Sequence, residues 1–443
     1  MSALPVVVVG AGPVGLAAAA ELAERELPVL VLERGKQAGA AVAQWRHIQL
    51  FSRWAELVAP AARRLLEPRG WRHPDAGSCP TGREWTDRYL RPLADALGEQ
   101  VRLGAEVVGV ARRGRDRVVG AGRESEPLTV HVRTAAGEER IATRAVIDAS
   151  GTWASPNPLG GDGLPAVGET AASDRIVYRV PNLADATVAA RYAGRHVVVA
   201  GSGHSALTVL VAFAGLAAQD PSTRISWLVR RDAIGAVFGG GQADQLPARG
   251  ALGLAARAAV EAGRIAVVTG FRTEAVERDA EARLTLVSAE GQRLEAVDQV
   301  VVLAGFRPDL SWLSEVRLAL DATLQAPVAL APLIDPNVHS CGTVPPHGVT
   351  ELAHPEPGVF LVGMKSYGRA PTFLAMTGYE QVRSVTAALA GDREAAERVE
   401  LVLPETGVCG GGLFDAPVRT AIGGCCGTPV GVQDLSLSTP TGR

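Results

Sequence analysis

Two glycine-rich turns place backbone amides where a pyrophosphate could sit. The first, Gly10-Ala-Gly12-Pro13-Val-Gly15, follows the apolar run Val6–Val9 and opens a helix-like stretch, LAAAAELAERE. Gly10 permits a tight turn, Gly12 lets the backbone approach the phosphates, and Gly15 lets helix and strand pack closely. A second apolar run, PVLVLE, ends at Glu33, 23 residues after Gly10, and Arg34 follows it. A carboxylate there can accept from the hydroxyls of an adenosine ribose. A second turn, Gly201-Ser-Gly203-His204-Ser205-Ala206, follows HVVVA and leads through a helix-like segment to ISWLV. This strand ends in Arg230-Arg231, and arginines at that place can hold a 2′-phosphate that an acid would repel. Two nucleotide sites of unequal type imply electron traffic between cofactors. FAD fits the first and NADPH the second, with hydride passing from nicotinamide to flavin.

The elements that must carry these turns read as strand, glycine turn, helix, strand, twice over. That is the unit of an α/β fold with Rossmann-like domains. A chain of 443 residues has room for two or three domains. A net charge of −3 gives no footprint for nucleic acid. No stretch reaches the roughly 20 apolar residues of a membrane helix. The N-terminus enters a strand without a basic leader, and the five cysteines are too few for a disulfide framework. A cytoplasmic protein with reduced thiols is expected, monomeric or homodimeric, taking a small-molecule substrate and O2 and binding neither nucleic acid nor membrane.

The chain resembles the two-dinucleotide-domain flavoproteins, a group that includes flavin-containing monooxygenases, Baeyer–Villiger enzymes and thioredoxin reductases. Besides the two turns, AVIDASGTW around Gly151 looks like the strand that ends against FAD. VVLAGFRPD around Gly305 looks like the return from the NADPH domain, and GVFLVG ending at Gly363 looks like the last FAD strand. The resemblance implies a split FAD domain, residues 1–180 and 299–400, with an NADPH domain at 181–298 inserted between its parts and a tail at 401–443. Met364 stands where the reductases carry an aspartate for the ribityl chain. The Cys-x-x-Cys of thioredoxin reductases is missing, as is the monooxygenase fingerprint FxGxxxHxxx(F/Y) before the second glycine turn. Residues 331–385, followed by a Cys-bearing tail, resemble a smaller group, the flavin-dependent monooxygenases encoded with bacterial arsenic-resistance genes. This resemblance implies a monooxygenase that forms a C4a-(hydro)peroxyflavin and oxygenates a small soft or electron-rich substrate, a trivalent arsenical among the candidates. A flavin-dependent disulfide or metalloid reductase, and a metalloid-binding flavoprotein without turnover, stand as alternatives.

Such an enzyme needs no side-chain nucleophile; its protein positions NADPH, excludes water and orients the substrate. Three segments are candidates to face the flavin. Gln44-Trp45-Arg46-His47 offers polar and aromatic groups, with Trp45 and His47 as catalytic candidates and packing as the plain alternative for Trp45. His339-Ser-Cys341 with His347 suits local hydrogen bonding better than a tetrahedral metal site. Met364-Lys365 follows the last FAD strand, where the cation of Lys365 could stabilise negative charge on reduced flavin or peroxide, a surface lysine being its alternative. GAVFGGGQADQLPARGALG (235–253) reads as a mobile flap or a surface loop. The Gly- and Pro-rich tail bears Cys409, Cys425 and Cys426, three thiols that suit a soft trivalent ion such as arsenic. An electron shuttle, or no catalytic role, are its other readings.

Overall fold

The computed structural model describes residues 4–244, 246–338, 344–371 and 373–401. Four consecutive valines make β1 (Val6–Val9), every one buried, as expected for a parallel strand covered on both faces. The chain turns at Gly10 into the Pro13–Glu24 helix, then runs through β2 (Val29–Glu33) and, after short helices, β3 (Val101–Leu103). An antiparallel meander follows: β4 (Glu106–Arg112), β5 (Leu128–Thr134) and β6 (Gly137–Thr143). β7 (Ala145–Asp148) then returns beside β1, with Asp148 level with Val9 at the mouth of the glycine turn.

The second unit repeats the plan. It contains β8 (Ile176–Val177), β9 (His196–Ala200), the His204–Gln219 helix, β10 (Arg224–Leu228) and β11 (Ala266–Val268). A second meander, β12 (Thr273–Arg278), β13 (Leu284–Ser288) and β14 (Arg293–Val297), precedes β15 (Gln299–Val302). Finally β16 (Val359–Leu361) goes back to the first sheet, and the Ala375–Leu389 helix packs beside Pro13–Glu24. The first sheet has the order β16-β7-β1-β2-β3 and the second β11-β10-β9-β15-β8, all pairs parallel. This is the expected mixed α/β architecture with two Rossmann-like units, one sheet being completed only after the other is built.

The crossings between sheets differ from the expected boundaries at 180 and 299. β8 lies before residue 180 yet pairs with β15, and β15 pairs with β9, so both belong to the second sheet. The chain crosses instead just after β7 and just after β15. The two crossings are tied together by Asn157 N–H to Gly305 O and Arg307 N–H to Ser155 O, each 2.9 Å. The reason is burial: Gln299–Val302 is covered on both faces, so this strand completes the second sheet before the chain leaves.

The segment 235–253 is also more built than expected. It forms two short turns and the first part of the Pro247–Glu261 helix. A Cβ at Gly253 would stand 1.9 Å from Phe238 O, and one at Gly250 would stand 2.1 Å from Gly241 O. Its glycines therefore let the turns pack directly on the helix. Behind the first sheet, the buried Glu356 carboxylate is shared by Arg112 Nε (2.7 Å) and Arg123 Nη2 (2.7 Å), tying the meander side to the approach to β16. Among the described residues no helix is long and apolar enough to cross a membrane.

Candidate dinucleotide sites and the cleft between them

The first glycine turn is built for close approach. Gly10 has φ +99°, and a Cβ there would meet Ala149 O at 2.9 Å. At Gly15 a Cβ would stand 1.9 Å from Gly10 O, so only glycine lets the helix start this close to β1. Gly12 differs: nothing lies within 4 Å of its would-be Cβ. The open space at the helix N-terminus fits a pyrophosphate, which the free amides and the helix dipole favour. Glu33, at the end of β2, accepts from Ala11 N–H (2.8 Å) and Gly35 N–H (2.7 Å). Each oxygen keeps a second lone pair, which fits acceptance from ribose hydroxyls. These features fit FAD, with the adenosine at β2 and the flavin toward β7 and β16.

The second turn has the same construction. Gly201 has φ +130° and a Cβ would meet Leu303 O at 2.4 Å, whereas Gly203 is open. His204 and Ser205 begin the helix, with Ser205 exposed and Ala206 buried in the third glycine's place. Arg230 is exposed and donates to Gly161 O at 3.2 Å, while Arg231 is half-buried. The His204 ring meets Phe51 of the first unit edge-on, with centroids 5.5 Å apart. Burial, and the Arg249 cation, hold the imidazole of His204 below its usual range.

At the flavin end, Gly363 (φ +67°) opens the turn after β16, and its N–H donates to Gln381 Oε1 at 2.7 Å. Gln381 Nε2 bridges Ser366 Oγ (2.9 Å) and His347 Nε2 (2.8 Å), so His347 accepts there and its Nδ1–H donates to Pro345 O. His347 is therefore a buried, neutral strut for this turn, with its pKa lowered by burial. Met364 is half-buried in the turn. Lys365 is only 1% exposed, which removes the surface-lysine alternative. Its Nζ lies 2.7 Å from the fully buried Asp148 carboxylate, 3.0 Å from Ser150 Oγ and 4.6 Å from the Trp312 ring centroid. The cation expected to be available to the flavin is thus already paired with an acid.

Trp45 is packed: its ring fills the space a Cβ at Gly82 would need and lies 6.4 Å from Trp85. That is the structural alternative rather than an open catalytic position. Gln44 Oε1 accepts from Trp153 Nε1 at 2.9 Å, two residues beyond Gly151. His47 sits against the carbonyls of Val180 and Pro181, and burial lowers its pKa. Arg34 is exposed beyond β2, close enough to Asp309 to help lower that acid's pKa. Gly305 (φ +88°) lies against Asn157. His339, Cys341, Cys409, Cys425 and Cys426 lie outside the described residues.

Sequence reasoning missed Arg179, Phe306 and Phe51. Arg179 lies against Trp153 and Phe306 at the junction of the two units. Its position two residues beyond β8 was the available signal, because ligands in such sheets bind beyond the strand ends.

A family model described as pyridine nucleotide-disulphide oxidoreductase matches residues 4–354. The bacillithiol disulfide reductase Bdr (YpdA) from Bacillus cereus superposes with a TM-score of 0.62 at 18% identity, covering 88% of this chain and 99% of that one. A flavin-containing monooxygenase from Stenotrophomonas maltophilia gives 0.52 at 23% identity, covering 88% of this chain and 100% of that one. These likenesses are of fold. The indole-3-pyruvate monooxygenase YUCCA1 of Oryza sativa subsp. japonica is 30% identical over 203 residues, 46% of this chain and 43% of that protein. The match thus spans less than half of that relative's length.

Proposed function

The chain belongs to the pyridine nucleotide-disulphide oxidoreductase family, and from that premise we propose that it is a monooxygenase. It is a flavin oxidoreductase, and its cofactors are FAD and NADPH. The proposal concerns the electron acceptor: O2 and a small soft or electron-rich substrate, a trivalent arsenical among the candidates, in the cytoplasm. One observation carries it. The junction between the two dinucleotide sites is lined by Gln44, Trp153, Arg179 and Phe306. The one thiol among the described residues, Cys79, donates to Phe51 O at 3.4 Å. A flavin without a dithiol close by is poorly placed for disulfide exchange; the sequence has no Cys-x-x-Cys, and its adjacent pair, Cys425-Cys426, lies outside the described residues.

FAD, when bound, supplies the redox chemistry, accepting hydride and passing electrons to O2. The chain's residues supply binding and order. The amides around Gly12 and Gly203 receive the two pyrophosphates, and Glu33 accepts from a ribose. Gln381 and His347 hold the Gly363 turn in place, while Trp153 and Phe306 cover the junction with apolar surface and limit water entry. The experiment is turnover with NADPH under 18O2 against trivalent arsenicals, sulfides, ketones and aryl acids. One 18O atom in a product, with NADPH consumed in proportion, is the expected result; oxidation of NADPH that yields only hydrogen peroxide across the panel removes the reading.

The nucleotide preference rests on the end of β10. Arg230→Ala/Arg231→Ala is expected to lower the ratio of kcat/KM for NADPH over NADH by about 10- to 100-fold, the scale of one or two charged hydrogen bonds. The loss should fall on KM for NADPH, with NADH almost unaffected. An unchanged ratio assigns these arginines to the surface.

A further inference from the structure

Among the described residues no acid pairs with Arg179. It follows β8, and its guanidinium carbon lies 4.3 Å from the Trp153 ring centroid and 5.1 Å from that of Phe306. The two rings stand 4.9 Å apart, so together they form one aromatic floor. Nη1–H donates to Tyr178 O at 3.0 Å and Nη2–H to Trp153 O at 2.5 Å. A guanidinium has five N–H groups, so three have no partner among the described residues. No carboxylate among those residues acts on it: its pKa is lowered by burial alone.

Its place in the topology says what it faces. A dinucleotide on the second glycine turn has its adenosine toward β10, so its nicotinamide points toward β15 and β8. Phe306 follows β15 and Arg179 follows β8. Trp153 comes from the first unit, beyond β7 and Gly151, where the flavin end of FAD belongs, and it is fastened to Gln44. The three side chains therefore meet where nicotinamide and flavin must meet. Beside them, His47 lies against the carbonyls of Val180 and Pro181, the residues directly after Arg179.

We propose that Arg179 is the anion receptor of the substrate subsite, binding the carboxylate of a small planar acid whose apolar body lies on Trp153 and Phe306. Arg presents a forked edge that matches a carboxylate, and the partly desolvated setting strengthens the attraction. Burial of an aromatic body on the two rings adds apolar contact of the kind ligand sites use. The proposal rests on the reading of this junction as the place of substrate oxidation, and it narrows the electron-rich substrate to one carrying a negative charge.

Calorimetric titration of the FAD-loaded protein with benzoate and with benzamide tests it, since the two share shape and differ in charge. Neither NADPH turnover nor O2 is needed, so this result and the oxygenation result can fail separately. The wild-type protein should bind benzoate at least about tenfold more tightly than benzamide, a difference of about 1.4 kcal/mol. Arg179→Met should erase the preference and leave benzamide binding unchanged, and Arg179→Lys should retain part of it. Flavin content and thermal unfolding of each variant verify that the junction is intact; should Arg179→Met not fold, Arg179→Lys still reports through its reduced preference. Equal binding of the two probes, no binding of benzoate, or a preference that survives in both variants overturns the proposal. So does a variant that loses affinity for NADPH while keeping its preference for benzoate, because that assigns the cation to the nucleotide.

Discussion

Gly12→Ala should leave a folded protein that no longer holds FAD. In the free chain nothing lies within 4 Å of the added methyl group, and Gly12 sits at ordinary extended angles, φ −82° and ψ −175°. The expected cost to folding is that of a poorer helix cap, about 1 kcal/mol or less. The same methyl group stands in the space assigned to the pyrophosphate, so FAD affinity should fall by at least about 100-fold, or about 2.7 kcal/mol. Gly15→Ala is the contrast. Its methyl group would lie 1.9 Å from Gly10 O, so the helix must shift, and both folding stability and flavin binding should suffer. Denaturant unfolding of the flavin-free proteins, paired with FAD titration followed by fluorescence, separates the two cases. A Gly12→Ala protein that binds FAD as the wild type does removes the assignment of the turn.

Lys365→Met should destabilise the protein by about 3–5 kcal/mol, because it strands the fully buried Asp148 carboxylate without its counter-ion. Asp148→Asn should do comparable damage by stranding Lys365, and the double variant should recover most of the loss, since a neutral pair of similar volume needs no desolvated charge. The cycle also separates the two roles open to Lys365. A stable double variant that is reduced by NADPH at the wild-type rate makes the pair a structural clamp between β7 and the Gly363 turn. A stable double variant with slowed flavin reduction shows that the lysine charge acts on the flavin as well. Full loss of stability in the double variant contradicts the pairing itself.

Both glycine turns were legible because their constraints are local. The requirement for glycine at positions 10, 15 and 201 comes from backbone atoms close by in the fold, and the strand–turn–helix context makes it readable. Fold class followed from the same repeat. The exact crossings between units did not: the short β8 carries little pattern, and Gln299–Val302 looks alike whichever sheet receives it. The glycines of 235–253 were read as freedom, whereas Gly250 and Gly253 serve close packing. Lys365 was singled out for its rarity and its place after the last strand, but its partner, Asp148, lies in a strand read only for its backbone. The Arg179 cluster draws on residues 153, 179 and 306, and no spacing rule joins three segments that meet only through the order of two sheets. Trp45 was noticed for its type, and only the fold shows it filling the space beside Gly82.

The most direct test of the central claim is the fate of electrons in the FAD-loaded protein after anaerobic reduction by one equivalent of NADPH. Mixed in stopped flow with O2, with and without a low-molecular-weight disulfide such as oxidised glutathione, the protein should return its flavin to the oxidised spectrum with O2 alone. The disulfide should neither accelerate that return nor produce it under nitrogen. Rapid reoxidation by the disulfide without O2, lost when Cys409, Cys425 and Cys426 are changed to Ser, would contradict the oxygenase account and make the protein a thiol-relay reductase.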